Sequence, residues 1–460
     1  MTPREALEDV WTRVGGDPAA LAQVTLGGDD PVLPGVFRVG TAAAATITAA
    51  GLAAAELWRM RGGRRQSITL DARAAAAAFR SERYLRVDDR PAHEGWHPVS
   101  GFFQAGDGRW IQLHCNFPHH RRRALDVLGC AESREAVTKA IGDWKAAALE
   151  DAIVARDGCA GMVRRPDEWQ AHPQGRALAT LPLLEITRIA DGPAAPLGPG
   201  ERPLAGVRVV DLTRVIAGPV CGRTLAEHGA DVLLITGPHV PNMEPLVIDN
   251  GRGKRAAHLD LRQADDVERL RRLVHGADVF VQSYRPETLA ARGLAPEALA
   301  ALRPGIVYVT LNAYGHAGPW HARRGFDSLV QSVSGIAWEG GQAFGLDGPK
   351  HLPCQALDHA TGYLAAVGAM IALARRARAG GSWLVRLSLA QTGRWIDGLG
   401  RADGTRLADP TAEDVADLLA SCDSPFGRLR HVGPVPRLSE TPGRWDRPPG
   451  RLGSDAPVWV

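Results

Sequence analysis

One aspartate stands where the sequence favours a functional carboxylate. Asp358 lies in the stretch HLPCQALDHATGYLAAVGAMIALARR, residues 351–376, directly before a long apolar run that indicates a buried helix. An aspartate at a helix N-cap is commonly structural, because its oxygens accept hydrogen bonds from the first free backbone N–H groups. The same place also stabilises a nucleophilic carboxylate, through those amide donors and the helix dipole. Position alone therefore leaves a capping and a catalytic interpretation open.

Three other patterns could bind a ligand, and each is weak in its context. HEGWH at 93–97 has the spacing of a zinc-binding helix, but Gly95 and the following Pro98 disfavour a helix, so we expect no metal site. GRGKRA at 251–256 resembles a nucleotide-binding glycine pattern but does not directly follow a predicted strand, which argues against a dinucleotide cofactor. The basic cluster HHRRR at 119–123 is interpreted as a solvated helix start rather than a ligand site.

The composition is that of an ordinary globular protein. Of 460 residues, 45% are hydrophobic and 23% are charged, which suffices for a large core without disulfides or metals. The formal net charge of only +3 removes the main indication of a nucleic-acid partner. The six cysteines form no CxxC pair, which favours free thiols in a reducing compartment.

Neither the start of the chain nor its apolar runs predict membrane association. The first residues, MTPREALEDVWTRVGGD, carry acidic side chains and lack the apolar centre of a signal peptide. The runs Thr41–Leu57 and Thr361–Ala374 are interpreted as too short to span a bilayer. We therefore expect a cytoplasmic protein with no membrane partner.

From residue 207 onward, short apolar runs alternate with helical patterns. VRVVDL, ADVLLIT, ADVFVQS and IVYVTL read as strands separated by helices, and a loop is predicted after the second of them. This alternation predicts an α/β fold with a parallel sheet and helices on its faces. Earlier in the chain, FFQAGDGRWIQLHC at 102–115 predicts a β-hairpin, and helical patterns follow around 121–129 and 143–155. The Pro/Gly-rich stretch 191–206 is the best candidate domain boundary.

One internal repeat is visible. Residues 51–79 align without gaps to residues 368–396, and both segments read as helix, glycine-rich break, strand and helix. The shared order at one offset favours a duplication. The same offset places Thr41 opposite Asp358, so only the second copy offers an aspartate.

Seven ordered blocks resemble those of the class III CoA-transferases, the formyl-CoA transferase and carnitine CoA-transferase type also called CaiB/BaiF. The resemblance begins with PLAGVRVVDLTRVIAGPVCGRTLAEHGADVLLI and NGRGKRAAHLDLR, and it continues through LDHATGYLAAVGAMIALARR, which resembles the catalytic-aspartate block. GFFQAGDGRWIQLHC resembles part of the family's small domain. The resemblance covers residues 37–200 and 203–455.

This resemblance implies both a fold and an activity. The implied fold is a Rossmann-like open parallel sheet flanked by helices, with a smaller α/β domain, in interlocked homodimers. The implied activity is transfer of CoA from an acyl-CoA donor to a carboxylic acid acceptor through covalent aspartyl intermediates on Asp358. It implies no tightly bound cofactor and no metal, with the coenzyme A thioester as substrate.

The resemblance also implies contacts to coenzyme A. The matching positions lie in the first strand–helix turn, in the asparagine-x-x-lysine-arginine segment, after the third strand and near the thioester. They are Val215, Ala217, Lys254, Arg255, Arg285, Arg292 and Tyr314.

The order of the parts departs from that of the family, since the small-domain blocks precede the large domain here. The predicted units are an N-terminal lead at 1–36, a partial unit with a helix and the small domain at 37–200, a large domain carrying Asp358 at 203–400, and a tail wrapping it at 401–460. A homodimer is expected, although the two halves could satisfy that interface within one chain.

Two alternatives stay open. An acyl-CoA racemase or isomerase of the same fold needs a second base, and Phe326 stands where that branch carries a histidine. A catalytically degenerate CoA-binding homologue would explain the rearranged order and Thr41. Retention of Asp358 beside the Lys254–Arg255 pair favours the transferase.

Overall fold

The computed structural model describes residues 1–92 and 95–460. Its first segment is built around the alanine-rich helix α2. This helix ends just before the predicted glycine-rich break, where Gly62 has a positive φ of 87°. The elements of this segment are α1 (Pro3–Arg13), β1 (Val24–Gly27), α2 (Val39–Met60), β2 (Ile68–Asp71), α3 (Ala72–Ala78), α4 (Ser81–Tyr84), β3 (Arg86–Val87) and β4 (Arg90–Pro91).

Next in the chain comes a small α/β domain with its own hydrophobic core. The predicted hairpin is confirmed: β5 pairs antiparallel with β6 across the turn around Gly108, whose φ is 75°. The elements are β5 (Gly101–Gln104), β6 (Trp110–Leu113), α5 (Pro118–Leu128), α6 (Arg134–Ile141), α7 (Ala146–Ala155) and β7 (Ala160–Met162). Connecting elements α8 (Pro166–Ala171), α9 (Pro173–Ala179) and β8 (Leu184–Ala190) precede the linker at 191–200, which has no helix or strand.

The large domain confirms the predicted strand–helix alternation. Its elements are β9 (Arg208–Leu212), α10 (Ala217–Glu227), β10 (Asp231–Thr236), α11 (Glu244–Asn250), β11 (Lys254–His258), α12 (Ala264–His275), β12 (Val279–Gln282), α13 (Pro286–Ala290), α14 (Pro296–Leu302), β13 (Val307–Asn312), α15 (Asp327–Val333), α16 (Ile336–Ala343), α17 (Ala356–Ala379), β14 (Ser382–Ser388) and α18 (Leu389–Gly398). The tail adds β15 (Leu419–Ser424), β16 (Gly427–Val432) and β17 (Arg437–Leu438).

The main sheet is a seven-stranded, open, Rossmann-like sheet in the order β11-β10-β9-β12-β13-β14-β8. All neighbours are parallel except β8, which runs antiparallel to β14 at the edge. The strand order reverses direction between β9 and β12. In such sheets a crevice opens at this switch point, beyond the carboxyl ends of the strands.

Both halves of the chain build the same core. Besides contributing β8 to the main sheet, the N-terminal half forms two small sheets with the tail. The sheet β1-β2-β17 is mixed, and the sheet β15-β16-β3-β4 is antiparallel. Helix α2 packs along α17, and one hydrophobic cluster includes Ile47, Phe79 and Leu364. The two predicted units at 37–200 and 203–400 therefore share the main sheet and one hydrophobic cluster, in addition to being joined by the linker.

A buried polar network also joins the halves through α4. Asp249 is fully buried and accepts hydrogen bonds from Ser81 Oγ (2.6 Å), Arg223 Nη1 (2.8 Å) and Arg252 Nη2 (2.6 Å). Arg252 also donates to the carbonyl oxygen of Val432 in β16, at 2.6 Å. Helix α4 is thereby fixed against α10, α11 and the tail.

Two predictions about these elements are wrong. The segment after β10 is not only loop, because KRAAH forms β11 at the sheet edge, parallel to β10. The two apolar runs are not short either: they belong to helices of 22 and 24 residues, long enough to cross a membrane. Their most apolar windows are 89% and 100% buried inside the protein, so both are accounted for as core helices.

The predicted repeat appears as matching structure. The element orders α2-β2-α3 and α17-β14-α18 are the same. The residues that precede the two long helices also have nearly equal backbone angles: φ is −78° and ψ is 65° at Arg38, and φ is −77° and ψ is 63° at Gln355. Thr41 and Asp358 each occupy the third helical position. The backbone N–H of Thr41 donates to Asp30 Oδ2 at 2.7 Å, just as that of Asp358 donates to Asp327 Oδ2 at 2.9 Å.

Candidate active site

A cavity of about 360 Å³ opens at the switch point of the main sheet. Its walls come from the turns after β9 and β12, the end of β13, the small domain and the loop that precedes α15. Helix α17 enters this wall because Gly362 packs against α10: a Cβ there would lie 2.5 Å from the carbonyl oxygen of Ala217. The close approach brings the first turn of α17, with Asp358, to the cavity.

Asp358 projects from this first turn rather than capping the helix. The N-cap is Gln355, and Asp358 is the third helical residue, which corrects the N-cap position of the sequence interpretation. The residue is 7% exposed, and it lines the cavity. Among the described residues, its carboxyl group has no hydrogen-bond partner, whereas its backbone N–H donates to Asp327. A buried carboxyl group left without donors is costly as structure, which favours a chemical role.

Three carboxyl groups meet here. Burial and the nearby charges of Asp327 and Glu82 raise the pKa of Asp358 well above its ordinary value. Burial also raises the pKa of Asp327, but that carboxylate accepts hydrogen bonds from the Asp358 backbone and from Gln331 Nε2. The protein therefore stabilises the ionised form of Asp327 by hydrogen bonds, whereas the Asp358 carboxyl group has neighbouring like charges that disfavour its ionised form.

Glu82 reaches the site from α4 in the N-terminal half. Its Oε2 lies 3.1 Å from His359 Nε2, and both side chains are buried. Burial alone would raise the pKa of Glu82, but the hydrogen bond and charge of His359 outweigh it and lower that pKa. Glu82 is thus an ionised neighbour of Asp358, supplied by the other half of the chain.

Arginines line the opposite wall of the cavity. Arg285 and Arg324 both face one carboxylate, Asp157, at 3.2 Å and 3.5 Å. Arg214 lies 5.3 Å from the ring of Phe117 and donates to the carbonyl oxygen of Pro241. A fourth lining arginine, Arg323, is paired with Glu150 at 2.8 Å. Against the other three guanidinium groups stands the one carboxylate of Asp157, and this positive excess is suited to phosphate groups.

The small domain adds two imidazoles to this wall. Burial, followed by the charges of nearby arginines including Arg123 and Arg324, lowers the pKa of His119. Burial and His119 lower the pKa of His120 to about 2. Both rings are therefore neutral at neutral pH, and the positive charge of the cavity resides on its arginines.

Comparison with known proteins identifies the family of the large domain. Residues 204–398 match the family described as CoA-transferase family III. This segment is a CoA-transferase family III domain. The predicted resemblance is confirmed for it, and it contains Asp358 together with all seven residues predicted to contact coenzyme A.

Relatives extend the likeness beyond this family III domain. An acetyl-coenzyme A transferase, nodX, of Hypoxylon pulicicidum is 33% identical over 321 residues, which are 65% of this chain and 54% of the relative. An acyl-CoA transferase of Gibberella moniliformis is 29% identical over 416 residues, 81% of this chain and 73% of the relative. The crystal structure of a CAIB/BAIF family protein from Brucella suis is 28% identical, covers 44% of this chain and 56% of that one, and has a TM-score of 0.38. The first of these alignments spans only about half of the relative's length.

Four of the predicted residues come together in the family III domain. Asp358, Val215, Ala217 and Arg285 all line the large cavity. Val215 has a φ of 73°, which is rare for a β-branched residue and is sustained only where the surroundings enforce it. Its carbonyl oxygen accepts a hydrogen bond from Asn250 Nδ2 at 3.3 Å.

The basic residues predicted at the coenzyme A phosphates lie elsewhere. Lys254 is buried in β11, and its Nζ donates to Asp211 Oδ2 and to the carbonyl oxygen of Pro219, both at 2.8 Å. Arg255 pairs with Asp231 at 3.0 Å on the sheet edge. These charges are neutralised inside the protein, as buried charges must be, and neither side chain lines the large cavity.

Two more predicted contacts are displaced from the large cavity. Arg292 donates from Nε to the carbonyl oxygen of Leu261 at 2.9 Å. Tyr314 is packed behind the wall, where Gly325 separates it from the cavity and its ring meets Trp320 edge-on at 5.2 Å. Burial raises the pKa of Tyr314 to about 12, so its hydroxyl group stays neutral.

Several cavity residues were missed by the sequence analysis. Arg324 lies in the segment RRGFDSLVQSVSGIAWEGG at 323–341, and the nearby Phe326 was interpreted only as standing in place of a histidine. His119 and His120 were assigned to solvent, but they line the cavity. Nothing in the local pattern marks Glu82, because its proximity to Asp358 arises from tertiary folding.

A second, smaller cavity of about 70 Å³ lies on the far side of Asp358. Asp358, Val215 and Phe326 line both cavities, so the Asp358 carboxyl group lies at their junction. The small cavity also borders Glu82 and Asp327.

No cluster of three or more histidine, cysteine, aspartate or glutamate side chains could hold a metal ion within residues 1–92 and 95–460. His93 and Glu94 of the HEGWH pattern lie outside the described residues. All six cysteines are unpaired thiols, as predicted.

Proposed function

We propose that this protein transfers coenzyme A from an acyl-CoA to a carboxylic acid, with Asp358 as the nucleophile. The observation that carries the proposal is the unpartnered, nearly buried Asp358 carboxyl group at the inner end of an arginine-lined cavity. The family III domain supports the reaction class. The sequence resemblance adds the expectation of a cytoplasmic homodimer.

The chemistry follows from a carboxylate facing a thioester. Asp358 attacks the thioester carbon of the donor, which forms a mixed anhydride and releases the CoA thiolate. The thiolate attacks the aspartyl carbonyl carbon, which forms an aspartyl-CoA thioester and releases the donor acid. The acceptor carboxylate then repeats the two exchanges in reverse. Each step replaces one activated acyl bond by another, so no metal, nucleotide or redox partner is needed.

Before attack, Asp358 must lose its proton. Its raised pKa favours the neutral form and makes the ionised form more basic, and therefore more nucleophilic, than an ordinary aspartate. The reaction is therefore expected to accelerate as pH rises through the pKa of Asp358.

The same wall is suited to the phosphates of coenzyme A. Arg214, Arg285 and Arg324 face the cavity, and the last two share the single carboxylate of Asp157. A phosphate group entering between Arg285 and Arg324 supplies the second anion that this pair lacks. These three arginines replace Lys254, Arg255 and Arg292 as the proposed phosphate contacts.

Covalent trapping tests the assignment. The protein is incubated with an acyl-CoA, quenched with hydroxylamine and digested, and the expected result is a hydroxamate on the peptide containing Asp358. Asp358→Ala should abolish both adduct and transfer. Asp151→Ala, at an exposed aspartate of α7, is the matched control and should retain both. Full activity of a fresh Asp358→Asn preparation would refute the nucleophile.

A racemase remains the second candidate because of one observation. His114 lines the small cavity with Asp358, and its ring stacks on Phe326 at 3.8 Å. Burial lowers the pKa of His114 to about 4, so its imidazole is neutral at neutral pH but only weakly basic. A racemase would exchange the α-hydrogen of a 2-methylacyl-CoA with D₂O. The transferase proposal expects no exchange that depends on His114.

A further inference from the structure

The two cavities at Asp358 differ in their lining and in their volume. These differences indicate which part of an acyl-CoA each cavity suits. The large one carries the arginine wall and suits the phosphates and the pantetheine arm. The small one is bordered by apolar side chains, including Ile216, Leu246 and Phe326, and also by charged ones, including Glu82, Arg83 and Asp327. The nucleophile must contact the thioester carbonyl carbon, which lies between the CoA part and the acyl part of the substrate. With the CoA part in the large cavity, the acyl chain extends into the small cavity.

The volume of the small cavity limits that chain. A volume of about 70 Å³, at about 10–15 Å³ for each water-sized position, gives roughly five to seven positions. A butyryl group has five non-hydrogen atoms and a hexanoyl group has seven, whereas a decanoyl group has eleven. The first two fit and the third does not.

We infer that the small cavity is the acyl pocket and that it restricts the enzyme to short acyl groups, with Leu246 setting the limit. The inference rests on the proposed function. It adds the class of substrate, acids of up to about six carbons, and a residue that determines it.

Leu246 closes the pocket at its far wall. This residue of α11 is 6% exposed and lines both the acyl pocket and an adjoining cavity of about 30 Å³. Met243 and Val215 border the same two spaces. Truncating Leu246 to alanine removes three carbon atoms and joins the spaces, which adds roughly five positions to the pocket. The enlarged pocket accommodates a decanoyl group.

Self-exchange measures the limit without a known acceptor. Each acyl-CoA is incubated with its own ¹³C-labelled free acid, and incorporation of label into the thioester is followed by mass spectrometry. In the wild type, label should enter butyryl-CoA and hexanoyl-CoA at least tenfold faster than decanoyl-CoA, since a poorly accommodated methylene costs about tenfold or more. In Leu246→Ala, the decanoyl-to-butyryl rate ratio should rise at least tenfold.

Controls separate the inference from the proposal beneath it. Leu128→Ala truncates a leucine of similar burial in the small-domain core and should leave the ratio unchanged. Met243→Ala provides a second enlargement if Leu246→Ala does not fold. Equal wild-type rates for butyryl-CoA and decanoyl-CoA, or an unchanged ratio in both enlarged variants, overturn the acyl-pocket assignment but leave the proposed function standing. Absence of exchange with every thioester overturns the proposed function itself.

Discussion

Asp249→Asn tests how the two halves of the chain are held around the active site. The Asp249 carboxylate is fully buried and accepts hydrogen bonds from Ser81 of α4 and from two arginines, Arg223 and Arg252. Burial alone would raise the pKa of this group, but the two guanidinium groups outweigh it and lower the pKa to about 2. Asparagine keeps the shape of the side chain and removes the charge.

The expected loss can be worked out in two ways. A fall from 3.8 to about 2 corresponds to about 2–3 kcal/mol, at roughly 1.4 kcal/mol for each pKa unit. Leaving one partner of a buried ion pair uncompensated costs about 3–5 kcal/mol. We therefore expect a decrease of about 3 kcal/mol in the free energy of unfolding, a large share of the ~5–15 kcal/mol typical of a folded protein.

Urea unfolding followed by tryptophan fluorescence measures this loss. Because the folded-state pKa of Asp249 is depressed, its contribution is present above the ordinary carboxyl value and is lost as pH falls toward 2. The difference between wild type and variant should therefore be largest at neutral pH and shrink below about pH 5. Asp417→Asn, in an exposed pair with Arg73, is the matched control and should change stability far less. A loss below about 1 kcal/mol at neutral pH contradicts the buried-network reasoning.

Three further predictions concern the site and its assembly. Arg324→Ala should weaken CoA binding and flatten its salt dependence in calorimetry, whereas Arg406→Ala, at an exposed arginine, should not; equal effects would exclude Arg324 as a phosphate contact. Glu82→Gln removes a like charge and should lower the pKa of Asp358, so the rising limb of the acylation rate against pH should move to lower pH; an unmoved limb contradicts this coupling. The fragment 203–460 lacks β8, α2 and Glu82, so alone it should aggregate or bind CoA poorly, and co-expression with the N-terminal half should restore it; a stable, fully active fragment would show that the halves are independent.

Local pattern was enough to predict most elements of the large domain. Strands such as Arg208–Leu212 and Val307–Asn312 are short apolar runs between helical stretches, a signal that buried parallel strands give directly. The exception, Lys254–His258, begins with two charged residues. Its charges pair with Asp211 on β9 and Asp231 on β10, and that pairing is visible only once the sheet exists.

The position of the proposed nucleophile at the cavity could be predicted, and its surroundings could not. Asp358 lies in a recognisable block, and Val215 and Ala217 lie in the first strand–helix turn, where the topology puts a binding crevice. Glu82 reaches the small cavity and His119 the large cavity from more than two hundred residues before Asp358 in the chain. Their positions depend on how α4 and the small domain pack onto the sheet, which no short-range periodicity encodes.

The matched starts of α2 and α17 have a consequence for catalysis. At the start of each helix, the backbone N–H of the third residue donates to an aspartate from outside the helix, Asp30 for Thr41 and Asp327 for Asp358. Thr41 is enclosed by the core, whereas Asp358 faces a cavity. Two related units within one polypeptide are free to mutate separately, whereas the subunits of a homodimer must change together. On the proposed function, Asp358 carries the chemistry and the unit that contains Thr41 has a structural role. We therefore expect each chain to take up a single covalent label and to saturate hyperbolically with substrate.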